Sequence, residues 1–183
     1  MAIFDETARM RALSLFLSSS VDEEHVNEVA RKAEISQGAS SVALRSLEKD
    51  GLLLSRKVGN AVFFRLNADN VLARRLKADW LLQALLVEKE KFTHEEYQTV
   101  ALYGSCASGA FGRKSDIDIL IITNVPKEKV FPRLAGLGKA IGREISPVVL
   151  PLSKWQRMAG GEDQFYKEVI ANHIVLHGVA LAV

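Results

Sequence analysis

Apolar positions change period several times along the chain, and each change marks an element. From Ile3 to Leu17, Met10, Leu13, Phe16 and Leu17 recur at helical spacing, and the helix-competing serines of "SSSVD" end the run. Asp22 is then an N-cap for a short helix over His25–Ala33, with Val26, Val29 and Ala30 on one face before a break at "EIS". Ser36 caps a third helix running to Lys49, in which Ser40, Leu44 and Leu47 form one stripe and Gly51 supplies the stop. The period then drops to two. Val62, Phe64 and Leu66 alternate with Phe63 and Arg65, and Gly59-Asn60 makes the turn of a β-hairpin. After the polar break Asn67–Asn70, one long connector helix extends from Val71 to Glu90, with Leu72, Leu76, Leu82 and Leu86 among its apolar positions.

The charged stretch "KEKFTHEEYQ" separates this half from a different pattern. Beyond it the order is a strand over Val100–Tyr103, a short helix over Cys106–Phe111 and a strand over Asp116–Thr123. A helix over Lys127–Ile141, a strand over Ile145–Leu150, helices over Ser153–Met158 and Glu162–Ala171, and an extended apolar end "HIVLHG" complete it. The fold class expected is therefore two domains: a mainly α unit with a β-hairpin over residues 1–68, a connector over 69–95, and an α/β unit with a mixed sheet over 96–183.

Composition narrows the class of protein. With 183 residues, 48% hydrophobic and 25% charged, the chain has enough apolar surface for two packed cores and is not disordered by composition. A net charge of +2 names no partner by itself. One cysteine, Cys106, excludes an internal disulfide framework and suits the reducing cytoplasm, and its place beside Ser105 suits a small buried filler. The acidic start "MAIFDETARM" is unlike a signal peptide, and no run approaches about 18 apolar residues, so no membrane association is expected. Trp80 and Trp155 are assigned to packing, and His173 and His177 to an extended segment that does not bring two ligands together.

The chemistry concentrates in "LYGSCASGAFGRKSDIDILIIT". A strand passing through Gly104-Ser105 into a helix leaves first-turn amides free for phosphate oxygens. Asp116 and Asp118, two apart on an extended segment, face one side, while Ile117 and Ile119 face the other. Two such carboxylates repel unless a divalent cation joins them, and Mg²⁺ favours carboxylate and phosphate oxygens. A phosphate cradle beside a metal-binding aspartate pair equips a site for nucleotidyl transfer.

"GSCASGAFGRKSDIDILI" resembles the signature of the DNA polymerase β nucleotidyltransferase superfamily, a Gly-Ser followed by Asp-x-Asp, and in particular its minimal nucleotidyltransferases. The resemblance covers Val100–Leu150. It implies that Gly104, Ser105 and Ser115 contact a nucleoside triphosphate and that Asp116 and Asp118 hold Mg²⁺ or Mn²⁺. Relatives take a third carboxylate from a neighbouring strand; "EISPVV" has Ser146 in that place, and Glu144, two residues earlier on the same face, is the candidate replacement as general base. Ser108 stands where many relatives carry an arginine near the phosphates. Acceptors used by the superfamily include small molecules, protein hydroxyls and RNA ends.

Three helices followed by a hairpin match a winged helix-turn-helix, and "ISQGASSVALRSLEKDGLLLSRKVGNAVFFRLN" resembles the recognition helix and wing of bacterial and archaeal regulators. Gln37, Ser41 and Arg45 would face double-stranded DNA, Arg45 reaching a base edge, with Arg56, Lys57 and Asn60 on phosphates. From Ser36 to Asn67 the local net charge is +3. Winged helices also serve as protein-binding modules. Three functional readings stand at this point: a DNA-guided nucleotidyltransferase, a transcriptional regulator whose second domain senses a nucleotide or is a remnant enzyme, and an antitoxin-like protein paired with a toxin. Homodimerisation is expected from the pairing of DNA half-sites and from the apolar connector.

Overall fold

The structure is a computed structural model and describes residues 6–19 and 22–181. Ile3–Asp5 of the first expected helix, with Ser20 and Val21 of its terminating stretch, lie outside the described residues. The chain divides into two compact units, Met1–Leu81 and Leu82–Val183. No helix among the described residues is long and apolar enough to cross a membrane.

The first unit contains helices α1 (Ala8–Leu17), α2 (Val26–Lys32) and α3 (Gln37–Lys49), and a sheet of β1 (Glu24–His25), β2 (Leu53–Val58) and β3 (Ala61–Leu66) in the order β1-β3-β2. Helix α1 starts at Thr7, whose hydroxyl accepts the Met10 amide at 3.2 Å. The α2 cap is His25, whose Nδ1 accepts the Asn27 amide at 3.3 Å, and not Asp22. The reason is long-range: Glu24 and His25 are extended because they pair with Phe64 and Phe63 of β3, so helical geometry begins only at Val26. Helix α3 follows its apolar period. Ser36 caps it, Ser40, Ala43, Leu44 and Leu47 are buried, and Gly51 at φ +74° turns the chain into β2. Leu13, Phe16, Leu17, Val29, Leu44, Leu47, Leu53 and Phe64 form the core, with Trp80 packed against it. The next helix, α4 (Val71–Val87), begins on Asn70, whose Oδ1 accepts the amides of Leu72 and Ala73. It stops before Glu90, where a 3₁₀ turn over Lys89–Lys91 replaces the last expected turn.

The second unit is built on β4 (Tyr97–Tyr103), β5 (Ile117–Thr123), β6 (Ile145–Leu150) and β7 (His173–Gly178), in the order β6-β5-β4-β7. Strands β5 and β6 are parallel, and the other pairs are antiparallel. The crossover from β5 to β6 is α6 (Lys127–Ile141), and α7 (Leu152–Ala159) and α8 (Gln164–Ala171) precede β7. The stretch "HIVLHG" is therefore a paired strand. Leu120 and Ile122 pack into a cluster with Ala101, Leu150, Trp155 and Val169 on one face, while Ile117, Ile119 and Ile121 alternate onto the other and are fully buried. A strand covered on both faces is a continuous apolar run, which makes Asp118 the charged exception in β5. Strand β6 lies at an edge of the sheet, where Pro147 and its missing N–H are tolerated.

The short helix α5 (Gly104–Ser108) starts two residues earlier than the periodicity indicates and ends at Gly109, φ +73°. It takes Gly104 and Ser105 into its own first turn, directly off the end of β4.

Candidate functional site

The site is assembled where β4 ends and β5 begins. These strands are antiparallel neighbours with Leu102 opposite Ile119, so the residues just outside that pair, Gly104 and Asp118, arrive at the same end of the sheet. Gly104 has φ +68°, a left-handed conformation that disfavours a side chain. A Cβ placed there would sit 2.9 Å from Asp118 Oδ2. The glycine thus serves two ends: it turns the strand into α5, and it leaves space for a carboxylate against the backbone of the first turn.

Asp118 is half-buried and Asp116 exposed. Burial, and then the charge of Asp116, raise the Asp118 carboxyl above the ordinary aspartate range. The Asp116 charge opposes ionisation of Asp118, a condition that a bound cation would relieve. Across the sheet Asp118 is paired in register with Ser146 of β6. Glu144 is exposed; its carbonyl accepts the Ile117 amide at 2.9 Å, which fixes its backbone beside the start of β5. The described residues form no group of three acidic, histidine or cysteine side chains spaced to hold a metal ion.

The surroundings of the pair are apolar or hydrogen-bonded. Tyr103, the residue before Gly104, packs edge-on against Phe165 of α8 with ring centres 5.5 Å apart. Burial, followed by the charges of Asp118 and Glu168, pushes its phenol up to about 12, so it stays a neutral donor. Cys106 is fully buried, its thiol pushed up to about 11 by burial first, and its Sγ lies 3.2 Å from the Asp116 carbonyl. Ser115 Oγ accepts the Gly112 amide at 2.8 Å and so closes the turn ahead of Asp116. Sequence reasoning singled out neither Tyr103 nor Arg143, which reaches this turn from the end of α6 with Nη2 2.6 Å from the Gly112 carbonyl. The signal available for Arg143 was a lone basic residue at the approach to β6.

The residues expected to meet DNA lie in the first unit. Gln37 and Arg45 are exposed on α3, and Ser41 is half-buried there. Lys57 and Asn60 are exposed on β2 and its turn to β3. Arg56 is also exposed, but its guanidinium makes a two-pronged ion pair with Glu23 and lies 5.6 Å over the Phe63 ring. Glu23 was missed because the local charge was counted from Ser36 onward, whereas β-pairing brings residues upstream of α2 to the hairpin. Val42, 72% exposed, adds an apolar side chain to the open face of α3.

Among solved structures, the chain is similar to one described as "Crystal structure of the toxin-antitoxin with AMP-PNP", at 17% identity over 54% of this chain and 73% of that chain, with a TM-score of 0.38. No curated protein matches the chain. The family model described as "Nucleotidyltransferase domain" matches residues 86–177, a span that runs from the end of α4 through β7 and contains Gly104, Ser105, Asp116 and Asp118. With half of its length so matched, the chain belongs to the nucleotidyltransferase domain family.

Proposed function

We propose that the second unit transfers a nucleoside monophosphate from a nucleoside triphosphate to an acceptor with the help of a divalent metal, and that the first unit is a winged helix that carries it to double-stranded DNA. The observation that carries the enzymatic part is the seat of Asp118 Oδ2 against the Gly104 turn.

The residues present fit a metal of the Mg²⁺ class. Such an ion is commonly held by one or two carboxylates together with substrate phosphates. Asp116 and Asp118 supply the two carboxylates, and the missing Cβ at Gly104 leaves room for that of Asp118. When bound there, the ion would neutralise the phosphates and polarise the α-phosphate. The amides of Gly104 and Ser105 and the Ser105 hydroxyl orient the phosphate tail. The acceptor oxygen bonds to the α-phosphorus, the bond to the bridging oxygen breaks, and pyrophosphate leaves. The acceptor's proton passes to a base, for which Glu144, just ahead of β6, is our candidate, its backbone carbonyl bonded to the Ile117 amide. Tyr103, its ring packed on Phe165, precedes the Gly104 turn, and burial at this end of the sheet keeps the dielectric around Asp118 low.

A second reading is favoured by Ser146. The sequence resemblance implies a third carboxylate where this chain has Ser146, which is paired in register with Asp118, and a hydroxyl there supports nucleotide sensing by a regulator in place of turnover. Incubation with each α-labelled nucleoside triphosphate and Mg²⁺ or Mn²⁺ separates the two. Label on protein, RNA or a small acceptor that Asp116→Ala abolishes supports transfer. Nucleotide binding without label transfer under any condition refutes transfer and leaves the sensor. For the first unit, α3 exposes Gln37 and Arg45 beside a hairpin bearing Lys57 and Asn60, the arrangement that supports DNA reading.

A further inference from the structure

The connection from α5 to β5 delivers Asp116, and it is tied down at each step. Phe111 is 1% exposed, and the Arg143 guanidinium stacks over its ring at 4.8 Å. Gly112 is held from both sides: its amide donates to Ser115 Oγ at 2.8 Å, and its carbonyl accepts from Arg143 Nη2 at 2.6 Å. Beyond Ser115, the Asp116 carbonyl lies 3.2 Å from the Cys106 thiol. Arg143 is the one long-range side chain in this set, reaching in from the turn between α6 and β6.

Its charge is otherwise unanswered. Among the described residues no carboxylate lies within ion-pair distance of Arg143, and its Nη1 is buried without a hydrogen-bond acceptor. A guanidinium nitrogen buried without an acceptor costs the fold stability. Two independent features of Arg143, the clamp on Gly112 and the unanswered charge, converge on the segment that presents Asp116.

We propose that Arg143 is a positioning residue of the nucleotide site: by clamping Gly112 and Phe111 it fixes the α5–β5 connection so that Asp116 is held beside Asp118, and its uncompensated charge is answered by the polyphosphate tail of the metal-bound nucleotide. This rests on the nucleotidyl-transfer reading. Arginine is needed for the geometry, since a lysine can neither stack flat on Phe111 nor direct a fixed fork of donors.

The test is Mn²⁺ titration, read by electron paramagnetic resonance, of the full chain with ATP, CTP, GTP or UTP, for wild type, Arg143→Lys and Arg143→Met, below each variant's melting transition. Both variants should bind the Mn²⁺–nucleotide pair about 10- to 100-fold more weakly, the range seen when supporting partners of a metal site are removed. If they melt earlier yet bind with the wild-type constant, Arg143 is only structural and the proposal is overturned. Near wild-type binding by Arg143→Lys alone overturns the clamp. If wild type itself binds no Mn²⁺–nucleotide, the nucleotidyl-transfer reading fails first and this inference falls with it.

Discussion

Gly104→Ala tests the site through its smallest atom. The added methyl must be carried at φ +68°, which costs an L-residue ~1–2 kcal/mol. For a domain of this size ~1 kcal/mol corresponds to ~4–8 °C in Tm, so the second unit should melt ~4–16 °C lower. The same methyl would stand 2.9 Å from Asp118 Oδ2, inside the distance real Cβ atoms keep, so the carboxylate must swing away. A displacement of ~1 Å in a reacting group can cost ~100-fold in rate, so label transfer should fall by at least that order even where the protein remains folded. Calorimetry of the full chain and transfer from α-labelled nucleotide, measured below the lowered Tm, give the two numbers separately. Ser105→Ala is the control for the melting shift alone, since it removes a hydroxyl without altering the Gly104 turn; its own transfer should fall because that hydroxyl is proposed to orient the phosphates. A Gly104→Ala protein that melts and transfers like wild type would refute the argument that this glycine makes space for Asp118.

Two further outcomes follow from charge. Because burial and Asp116 raise the Asp118 carboxyl, the folded state holds that proton more tightly than the unfolded chain. The group therefore favours folding at acid pH and loses that contribution as pH rises through the raised value. Asp118→Asn should raise Tm at neutral pH, with the gain vanishing below the ordinary carboxylate range; thermal melts across pH check this, and a loss of Tm at neutral pH would contradict it. In the first unit, Glu23→Gln should release Arg56 and steepen the salt dependence of DNA binding by about 0.9 in log–log slope if Arg56 then meets a phosphate. Fluorescence anisotropy on a duplex at several salt concentrations measures it, and an unchanged slope removes Arg56 from the interface.

Elements whose partners are their own neighbours in sequence were legible beforehand. Helix α3 with its Ser36 cap, the β2–β3 hairpin, α6 and β6 follow directly from apolar period and turn residues. What escaped depends on residues far apart in the chain. The β1 pairing with Phe63 and Phe64 moves the α2 cap from Asp22 to His25, and no local pattern announces it. The start of α5 at Gly104 was hidden because glycine and serine have low helix propensity, whereas the strand end before them dictates the turn. In the site, the sequence shows two aspartates and a Gly-Ser step; their approach comes from the β4–β5 register, and the clamp by Arg143 comes from a crossover that returns to the same end of the sheet.

The nearness of Gly104 to Asp118 is produced by a single strand–helix–strand excursion, β4 to β5, stitched by its own ladder. Such a hand-hold is portable. It can be inherited as one short cassette while appended modules and covering helices are exchanged around it, so the partners of a protein built on it are written in the attachments and not in the grip.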